Sequence, residues 1–307
     1  MRVALLFTDG VGVGVRDPAK NPLAKGDFLL SHFKDEPAPP LPFGGVRALL
    51  DTTFGVEGRP QSASNQTALY TGLAAPKLCG EHILGYPDER LAALLAEHSI
   101  VKRLLAAGRS ATFANGYPKG YLTALGLPHD ETAPADITIP DDALRWLKPS
   151  ASTLSFSAAK VKLRSFADIH RGLAITHDVD GAGAAKRGMV LPLRTADQAA
   201  EIFWRVAHDY TLFEHYLADE AGHHRDEPAA LEALGKFDAF ARAVLERRPA
   251  DAQVLIVSDH GNVEDLSTRS HTRNDVALLS FGPEPLPEVK NLAEVGQLVL
   301  RWLGAQG

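Results

Sequence analysis

The chain has 307 residues, 45% of them hydrophobic and 23% charged, which is typical of a globular protein with room for one large α/β domain. Its net charge of −6 argues against a general nucleic-acid-binding or membrane-surface protein. The single cysteine, Cys79, excludes an intrachain disulfide and a thiolate zinc cluster. The apolar run after Arg2 is too short for a signal peptide, and no window approaches the roughly 20 apolar residues of a membrane span. We therefore expect a cytoplasmic protein.

The predicted elements alternate between strands and helices along the chain. Short apolar runs predict buried strands at residues 3–7, 111–114, 172–176, 210–217, 253–257 and 276–281. Helical spacing of apolar residues predicts helices at 65–73, 88–107, 195–208, 227–247 and 291–304. This alternation predicts a three-layer α/β/α fold, in which helices cover both faces of a mostly parallel central sheet.

Two segments interrupt the alternation. Residues 16–45 carry many prolines and glycines and few periodic apolar residues, so they predict an irregular loop over one edge of the sheet. Residues 116–171 are broken by repeated prolines, which predicts a small inserted cap within a single domain of residues 1–307. The run 172–176 could belong to this cap instead of forming a strand.

Acidic residues and histidines follow three of the predicted strands. They are Asp9 after 3–7, Asp219 and His223 after 210–217, and Asp259 and His260 after 253–257, with His271 shortly beyond. Open α/β sheets bind their ligands at the carboxyl ends of the strands. Because carboxylate oxygens and imidazole nitrogens are metal ligands, the pattern predicts a metal centre at this edge.

A hydroxyl-rich segment precedes the first predicted helix, in the sequence G-R-P-Q-S-A-S-N-Q-T-A-L-Y-T-G-L of residues 58–73. A hydroxyl at a helix N-terminus faces unpaired backbone N–H groups and the positive end of the helix dipole, where a phosphate also binds well. Ser62 or Ser64 could simply cap the helix. The acidic clusters elsewhere in the chain favour a nucleophile instead.

Together these motifs resemble the alkaline phosphatase superfamily of metalloenzymes, and within it the cofactor-independent phosphoglycerate mutase and phosphopentomutase branch. The resemblance is carried, in the family's chain order, by Asp9-Gly10, Ser62 in S-A-S-N-Q-T-A-L-Y-T-G, D-E-A-G-H from Asp219, D-H-G-N from Asp259 and H-T-R-N from His271. These motifs span most of the chain.

The resemblance implies two divalent metal ions, Zn²⁺ or Mn²⁺, bound by oxygen and nitrogen ligands. One ion would be held by Asp219, His223 and His271, and the other by Asp9, Asp259, His260 and the Ser62 oxygen. Ser62 would be the nucleophile, because Asn65-Gln66 occupies the place where the family pattern has N-H or G-H. Ser64 is the alternative nucleophile, and the change to N-Q affects how a phosphoryl group would be positioned.

The resemblance also implies a small phosphorylated substrate, with Asn65, His82 and Arg273 as candidate substrate contacts. An ordinary loop histidine and a surface arginine are the alternative interpretations of His82 and Arg273. We expect a phosphatase or phosphodiesterase that acts through a phosphoserine, because the segment 116–171 is short and mutases of this branch usually carry a substantial second domain.

Three alternatives to hydrolysis are open. The first is a phosphomutase of the phosphoglycerate mutase or phosphopentomutase type. The second, of another class, is a non-catalytic metal-containing protein that binds a phosphorylated metabolite. The third is a dinucleotide-binding enzyme, suggested by G-V-G-V-G at residues 10–14. Its spacing is not G-x-G-x-x-G, and Asp9 would face the pyrophosphate.

Overall fold

The computed structural model describes residues 1–186 and 188–305, which contain eight strands and thirteen helices. The strands are β1 (Arg2–Thr8), β2 (Val46–Leu50), β3 (Ala111–Phe113), β4 (Gly116–Tyr117), β5 (Arg164–Ser165), β6 (Tyr210–His215), β7 (Ala252–Val257) and β8 (Val276–Phe281). The helices are α1 (Ser62–Thr71), α2 (Ala75–Cys79), α3 (Glu89–His98), α4 (Ile100–Ala106), α5 (Lys119–Ala124), α6 (Asp141–Leu144), α7 (Ala151–Ala158), α8 (Phe166–His170), α9 (Ala182–Lys186), α10 (Ala196–Arg205), α11 (Leu217–His224), α12 (Glu227–Glu246) and α13 (Leu292–Trp302).

Six strands form the central sheet in the order β2-β8-β7-β1-β6-β3. Strand β1 lies between β6 and β7 and pairs in parallel with both, and β3 is parallel to β6. Strand β8 runs antiparallel to its neighbours β7 and β2. The sheet is therefore mostly parallel, as the sequence predicts, and its parallel part surrounds β1.

Helices cover both faces of this sheet, which confirms the predicted three layers. Val3, Leu5 and Phe7 of β1 pack in one core with helices α1, α3, α4, α7 and α13. Ala4 and Leu6 point to the opposite face and pack in a second core with α10, α11 and α12. A strand buried on both faces needs a continuous apolar run, and β1 has one.

Helix α1 packs closely on α13, and this contact fixes the helix that carries the hydroxyl motif. A Cβ atom at Gly296 of α13 would lie 2.3 Å from the carbonyl oxygen of Leu69 in α1. A glycine at this position therefore allows the two backbones to approach. The α1 N-terminus is thereby held at the carboxyl edge of the sheet.

Three predicted elements differ from the structure. Residues 172–176 are not a strand, since only isolated bridges pair Ile175 with Asn115 and Thr176 with Val179. The predicted helix 88–107 is two helices, α3 and α4, which meet at Ser99 where its side chain accepts a hydrogen bond from the Lys102 amide. The predicted strand 210–217 ends at His215, so that Leu217 begins helix α11.

Strand β2 was not predicted, because it lies at the sheet edge and four of its five residues are exposed or only partly buried. The segment 116–171 contains the small parallel pair β4–β5 and helices α5 to α8. Its helix α7 packs against α1, α3 and α4. Phe156 of that helix lies in the core that contains Val3, Leu5 and Phe7 of β1. That this segment acts as an inserted cap stays a prediction.

Within the described ranges, no helix combines the length and apolarity needed to cross a bilayer.

Candidate metal centre

The parallel strands bring the predicted acidic residues to one edge of the sheet. Asp9 follows β1 directly, and Asp259 with His260 follows the neighbouring strand β7. Asp219 and His223 lie one turn apart on helix α11, which begins just after β6 on the other side of β1. The carboxyl ends of three adjacent strands thus supply the site, as open α/β sheets generally do.

The first cluster consists of Asp9, Asp259 and His260. One ligand atom from each of these residues lies within 4.8 Å of the other two. The His260 Nε2 atom is 3.3 Å from Asp9 Oδ1 and 3.6 Å from Asp259 Oδ2. All three side chains are buried.

The second cluster consists of Asp219, His223 and His271, with the same 4.8 Å limit between ligand atoms. The Nε2 atoms of His223 and His271 lie 3.2 and 3.6 Å from the Asp219 carboxylate and 3.1 Å from each other. Each Nδ1 atom lies 2.8 Å from a backbone carbonyl, that of Arg269 or Pro60, and donates to it. Both rings therefore present Nε2 to the cluster, as metal-binding histidines commonly do.

The two clusters adjoin, because the rings of His260 and His271 stack with their centroids 3.7 Å apart. The structure therefore brings together all six of the predicted aspartate and histidine ligands, in the two groups that the resemblance implies. Their assignment as ligands stays a prediction.

The donor chemistry of these clusters fits divalent cations. Burial, followed by the negative charges of Asp259 and Asp219, raises the pKa of Asp9 well above its usual range. Its Oδ1 atom is buried and accepts no hydrogen bond from the described part of the chain. A buried carboxylate pair without a compensating cation is unfavourable, and a bound divalent ion removes the penalty. Carboxylate and imidazole ligands suit both Zn²⁺ and Mn²⁺.

The second cluster holds a proton when no ion is bound. A hydrogen bond from its ring to the Asp219 carboxylate raises the pKa of His223 to about 9, although burial opposes this shift. Burial and the neighbouring His260 lower the pKa of His271 to about 4, so its imidazole is neutral. Metal binding at this cluster would therefore displace a proton from His223.

Ser62 lies at the first residue of α1 and faces the first cluster. Its Oγ atom is 2.8 Å from His260 Nε2. By contrast, the Ser64 hydroxyl donates to the carbonyl of Gln61 and accepts from the amide of Ile83, both at 3.2 Å. Of the two candidate nucleophiles, Ser62 is therefore the one beside the ligands.

The three predicted substrate contacts have different surroundings. Asn65 is fully buried, and its amide nitrogen donates to the carbonyls of Thr52 and Asp259, each at 2.9 Å. It therefore holds the backbone at the end of β7. Arg273 is exposed and its guanidinium donates to the carbonyl of Gly58, while His82 is half-buried. Their roles in substrate binding stay predictions.

Two amide side chains at the site were not predicted as functional. Gln66 donates from Nε2 to Asp9 Oδ2 at 3.1 Å and to Asp259 Oδ2 at 2.9 Å, so it bridges the two carboxylates. Asn262 donates to Asp219 Oδ1 at 2.6 Å. The signal for Gln66 was available, because a residue four positions after Ser62 lies on the same helix face.

Glu264 is a buried carboxylate that joins the loops carrying the ligands. Its Oε2 atom accepts from the amides of Gly12 at 3.0 Å and Asn262 at 2.7 Å, and its Oε1 atom accepts from the side chains of Thr272 at 2.5 Å and Asn274 at 2.9 Å. It is only 1% exposed. These bonds connect the segments that follow Asp9, His260 and His271.

A further carboxylate, Glu214 of β6, is buried outside the two clusters. Both of its oxygens accept from the Ser152 hydroxyl, at 3.0 and 3.1 Å. Burial raises the pKa of Glu214 to about 7, against the effect of the Ser152 hydrogen bond and with a contribution from the charge of Asp259. Glu214 therefore titrates near neutral pH without belonging to either cluster.

A protein-family model matches the C-terminal part of the chain, and curated relatives match stretches of about 100 residues. Residues 189–306 match the Metalloenzyme superfamily. The chain is 40% identical over 92 residues to a phosphopentomutase of Methylobacterium sp. (strain 4-46), covering 28% of this chain and 22% of that protein. It is 36% identical over 104 residues to a phosphopentomutase of Deinococcus radiodurans, covering 32% of this chain and 27% of that protein. The chain thus matches about a quarter of the length of these relatives.

Structural comparisons extend over the whole fold. The alkaline phosphatase of the Antarctic bacterium TAB5 superimposes with a TM-score of 0.55 at 13% identity, covering 100% of this chain and 99% of that one. A cold-active alkaline phosphatase of Shewanella sp. also gives 0.55, at 14% identity, with 99% and 100% coverage. Identity this low shows the fold alone. With the sequence matches, these findings confirm the resemblance to alkaline phosphatase superfamily metalloenzymes.

Separate loss of the two metal sites is the first prediction. We expect the wild-type protein to bind two Mn²⁺ or Zn²⁺ ions, and Asp9→Asn and Asp219→Asn each to bind one tightly, because each change removes an anionic ligand from one cluster. Equilibrium dialysis with elemental analysis measures this. The control is Glu220→Gln, a neighbouring acid on α11 outside both clusters, which should retain two ions. Two tightly bound ions in both aspartate variants would contradict the assignment.

The second prediction concerns Glu264. Replacement by Gln keeps the size of the side chain but removes its charge. It also replaces one carboxylate oxygen by an NH₂ group, which would face the N–H and O–H groups that donate to that oxygen. We expect a loss of about 2 kcal/mol or more in the free energy of unfolding and roughly tenfold weaker metal binding. Chemical denaturation and calorimetric metal titration measure these, with the exposed Glu201→Gln of α10 as control. Wild-type values for Glu264→Gln would show that the loops are held without this carboxylate.

The third prediction concerns pH and Glu214 in the metal-free protein. Because burial raises its pKa from 4.5 to about 7, its contribution to stability is present below about pH 4.5 and is lost as pH rises to about 7. Glu214→Gln should remove this loss, which is on the order of 3 kcal/mol. Denaturation across this pH range measures it, and Glu201→Gln should keep the wild-type profile. Parallel profiles for wild type and Glu214→Gln would refute the assignment.

Proposed function

Starting from the confirmed resemblance to alkaline phosphatase superfamily metalloenzymes, we propose that this protein is a two-metal phosphoryl-transfer enzyme. Its substrate is a small phosphorylated metabolite, its nucleophile is Ser62, and its reaction is hydrolysis through a phosphoserine. The observation that supports this most directly is the Ser62 hydroxyl at the start of a helix, 2.8 Å from Nε2 of His260 in the first cluster.

The chain's own groups can position a phosphoryl group at this point. Gln61 precedes α1, and its side chain makes no capping hydrogen bond to the first-turn amides of the helix. These amides and the helix dipole attract a phosphoryl oxygen. Gln66 holds the carboxylates of Asp9 and Asp259 on either side of its amide nitrogen. The phosphoryl acceptor Ser62 and the predicted ligands Asp9 and Asp259 are therefore held in place before substrate binds.

The proposed chemistry consists of two displacements at phosphorus. The Ser62 oxygen forms a bond to phosphorus as the bond to the alcohol of the substrate breaks, and the alcohol leaves with a proton. Water then displaces the serine oxygen, which gives inorganic phosphate and restores the hydroxyl. When bound, divalent ions activate the serine hydroxyl and neutralise charge that develops on the phosphoryl oxygens.

A phosphomutase is the second candidate, and the matched phosphopentomutases favour it. It differs from a hydrolase in the second step, because a sugar hydroxyl replaces water as the acceptor of the phosphoryl group. The short segment 116–171 favours hydrolysis, since it offers little structure to retain a substrate while it reorients. A metal-containing protein that binds a phosphorylated metabolite without turnover is the remaining alternative.

The fourth prediction separates the two serines. We expect Ser62→Ala to lower hydrolysis of p-nitrophenyl phosphate by about three orders of magnitude or more, because it removes the nucleophile. Ser64→Ala should retain activity, since that hydroxyl bonds to Gln61 and Ile83. Initial rates are measured on chelated protein reconstituted with Zn²⁺ or Mn²⁺, with the bis-p-nitrophenyl ester distinguishing diesterase action.

The outcomes of this experiment, and of a parallel assay with pentose 1- and 5-phosphates, decide among the candidates. Full activity in Ser62→Ala would overturn the nucleophile assignment. Interconversion of pentose 1- and 5-phosphates without phosphate release would establish the mutase. Two bound ions with no turnover of any of these substrates would instead favour the binding protein.

A further inference from the structure

Helix α11 lines a cavity with a face other than the one that carries the metal cluster. The cavity has a volume of about 460 Å³ and lies between α11, α12 and the stretches 176–178, 183–184 and 189–191. Leu217, Glu220 and His224 of α11 line it, whereas Asp219 and His223 of the same helix belong to the second metal cluster. Residues three and four apart share a helix face, so the cavity and the metal ligands lie on different sides of α11. Its size is within the range of about 300–1,000 Å³ for small-molecule sites.

The inner wall of the cavity contains a buried hydroxyl without a partner. Thr176 is 7% exposed, and its Oγ1 atom has no partner in full hydrogen-bond geometry within residues 1–186 and 188–305. It lies near the Asp178 carboxylate and, against the effect of burial, helps to lower the pKa of that group. It lines the cavity beside His177 and Asp178. Buried hydroxyls are nearly always hydrogen-bonded in folded proteins. The unpartnered Thr176 hydroxyl therefore points to a ligand or bound solvent in this cavity.

The neighbouring groups on this wall are a neutral imidazole and a carboxylate. His177 Nδ1 lies 3.1 Å from both the Glu214 carbonyl oxygen and the Asn115 side-chain nitrogen, so it can donate to the first or accept from the second. Burial lowers the pKa of His177 to about 4, so the ring is neutral and one of its nitrogens donates while the other accepts. Asp178 is 8% exposed and accepts from the Gly181 and Gly183 amides at 3.0 and 2.5 Å. Its carboxylate offers a ligand only acceptor atoms, which suit a charged donor.

The charged side chains among the described lining residues of the cavity are mostly acidic. Its lining includes four carboxylates, those of Asp178, Glu220, Asp226 and Glu232. Lys236 is the one lysine or arginine among the described lining residues, and Asp180 and Glu232 hold its ammonium at 2.9 and 2.7 Å. A phosphate or carboxylate would meet this negative wall, whereas a cation would be attracted to it.

Apolar side chains supply the remainder of the lining. Phe166, Met189 and Leu191 line the cavity, together with Leu217 of α11. Sites for small organic ligands combine such apolar walls with a few convergent polar groups. An aromatic ring also stabilises a nearby cation.

We propose that this cavity binds a small organic cation, an amine with an apolar body. The ammonium group lies against the carboxylates of Glu220 and Asp178 and the Thr176 hydroxyl, and the body packs on Phe166 and Leu191. The site is separate from the two metal clusters, so the proposal does not depend on the proposed function.

A panel of matched fragments tests this. Several small apolar scaffolds, each in ammonium, hydroxyl and carboxylate form, are titrated into the metal-loaded full chain by calorimetry and ligand-observed NMR. We expect ammonium forms to bind about tenfold more tightly than hydroxyl forms, which corresponds to one charge-assisted hydrogen bond. Carboxylate forms should not bind. Preference for the carboxylate forms, or no binding by any scaffold, would overturn the proposal.

Two variants locate the site. Glu220→Gln should weaken binding of the best ammonium fragment about tenfold, and Thr176→Val should weaken it by removing the unpartnered hydroxyl. Glu201→Gln, an exposed acid of α10 outside the cavity, is the matched control and should bind as wild type. Retention of two metal ions in each variant shows that α11 is intact. Equal affinity in Glu220→Gln and Glu201→Gln would place the fragment elsewhere and refute the site.

Discussion

The structure depends on holding three carboxylates together at the carboxyl edge of the sheet. Asp9, Asp219 and Asp259 are mostly or fully buried there, and this burial, followed by the charges of the other two carboxylates, raises the pKa of Asp9. Gln66 and Asn262 satisfy several carboxylate oxygens with hydrogen bonds, but amides carry no charge. Divalent cations would supply the missing positive charge, which is why this edge is better explained as a metal centre than as structural packing.

The sheet alone does not position every residue of this metal centre. Strand pairing fixes the ends of β1 and β7, but His271 lies in a loop and Ser62 on a helix that packs against α13. Glu264 joins the loops that carry the ligands, though not helix α1, because it accepts from the loop after β1, from its own loop and from Thr272 beside His271. One buried carboxylate without a role in either cluster thus sets the spacing between the two.

The sequence was sufficient for the features that follow from strand ends and helical spacing. Asp9 and Asp259 could be placed together because the ends of parallel strands share an edge. The end of β6 could not, since the apolar residues continue through Leu217, and only tertiary contacts make that residue helical. Glu264 was missed because the folded loops, including the distant one that carries Gly12, bring its partners together, and no local spacing indicates this. The cavity beside α11 is formed by segments with no common pattern, so no local signal predicts it.

The central position of β1 determines when the sheet can assemble. Its partners are distant in the chain, since Val3 pairs with Tyr210 and Arg2 with Ala252. During synthesis this apolar strand therefore leaves the ribosome long before β6 and β7 exist. Folding dominated by such distant pairings is slow, and unpaired apolar strands are prone to aggregation. The arrangement that brings the ligands to one edge thus leaves β1 without its sheet partners until most of the chain has been made.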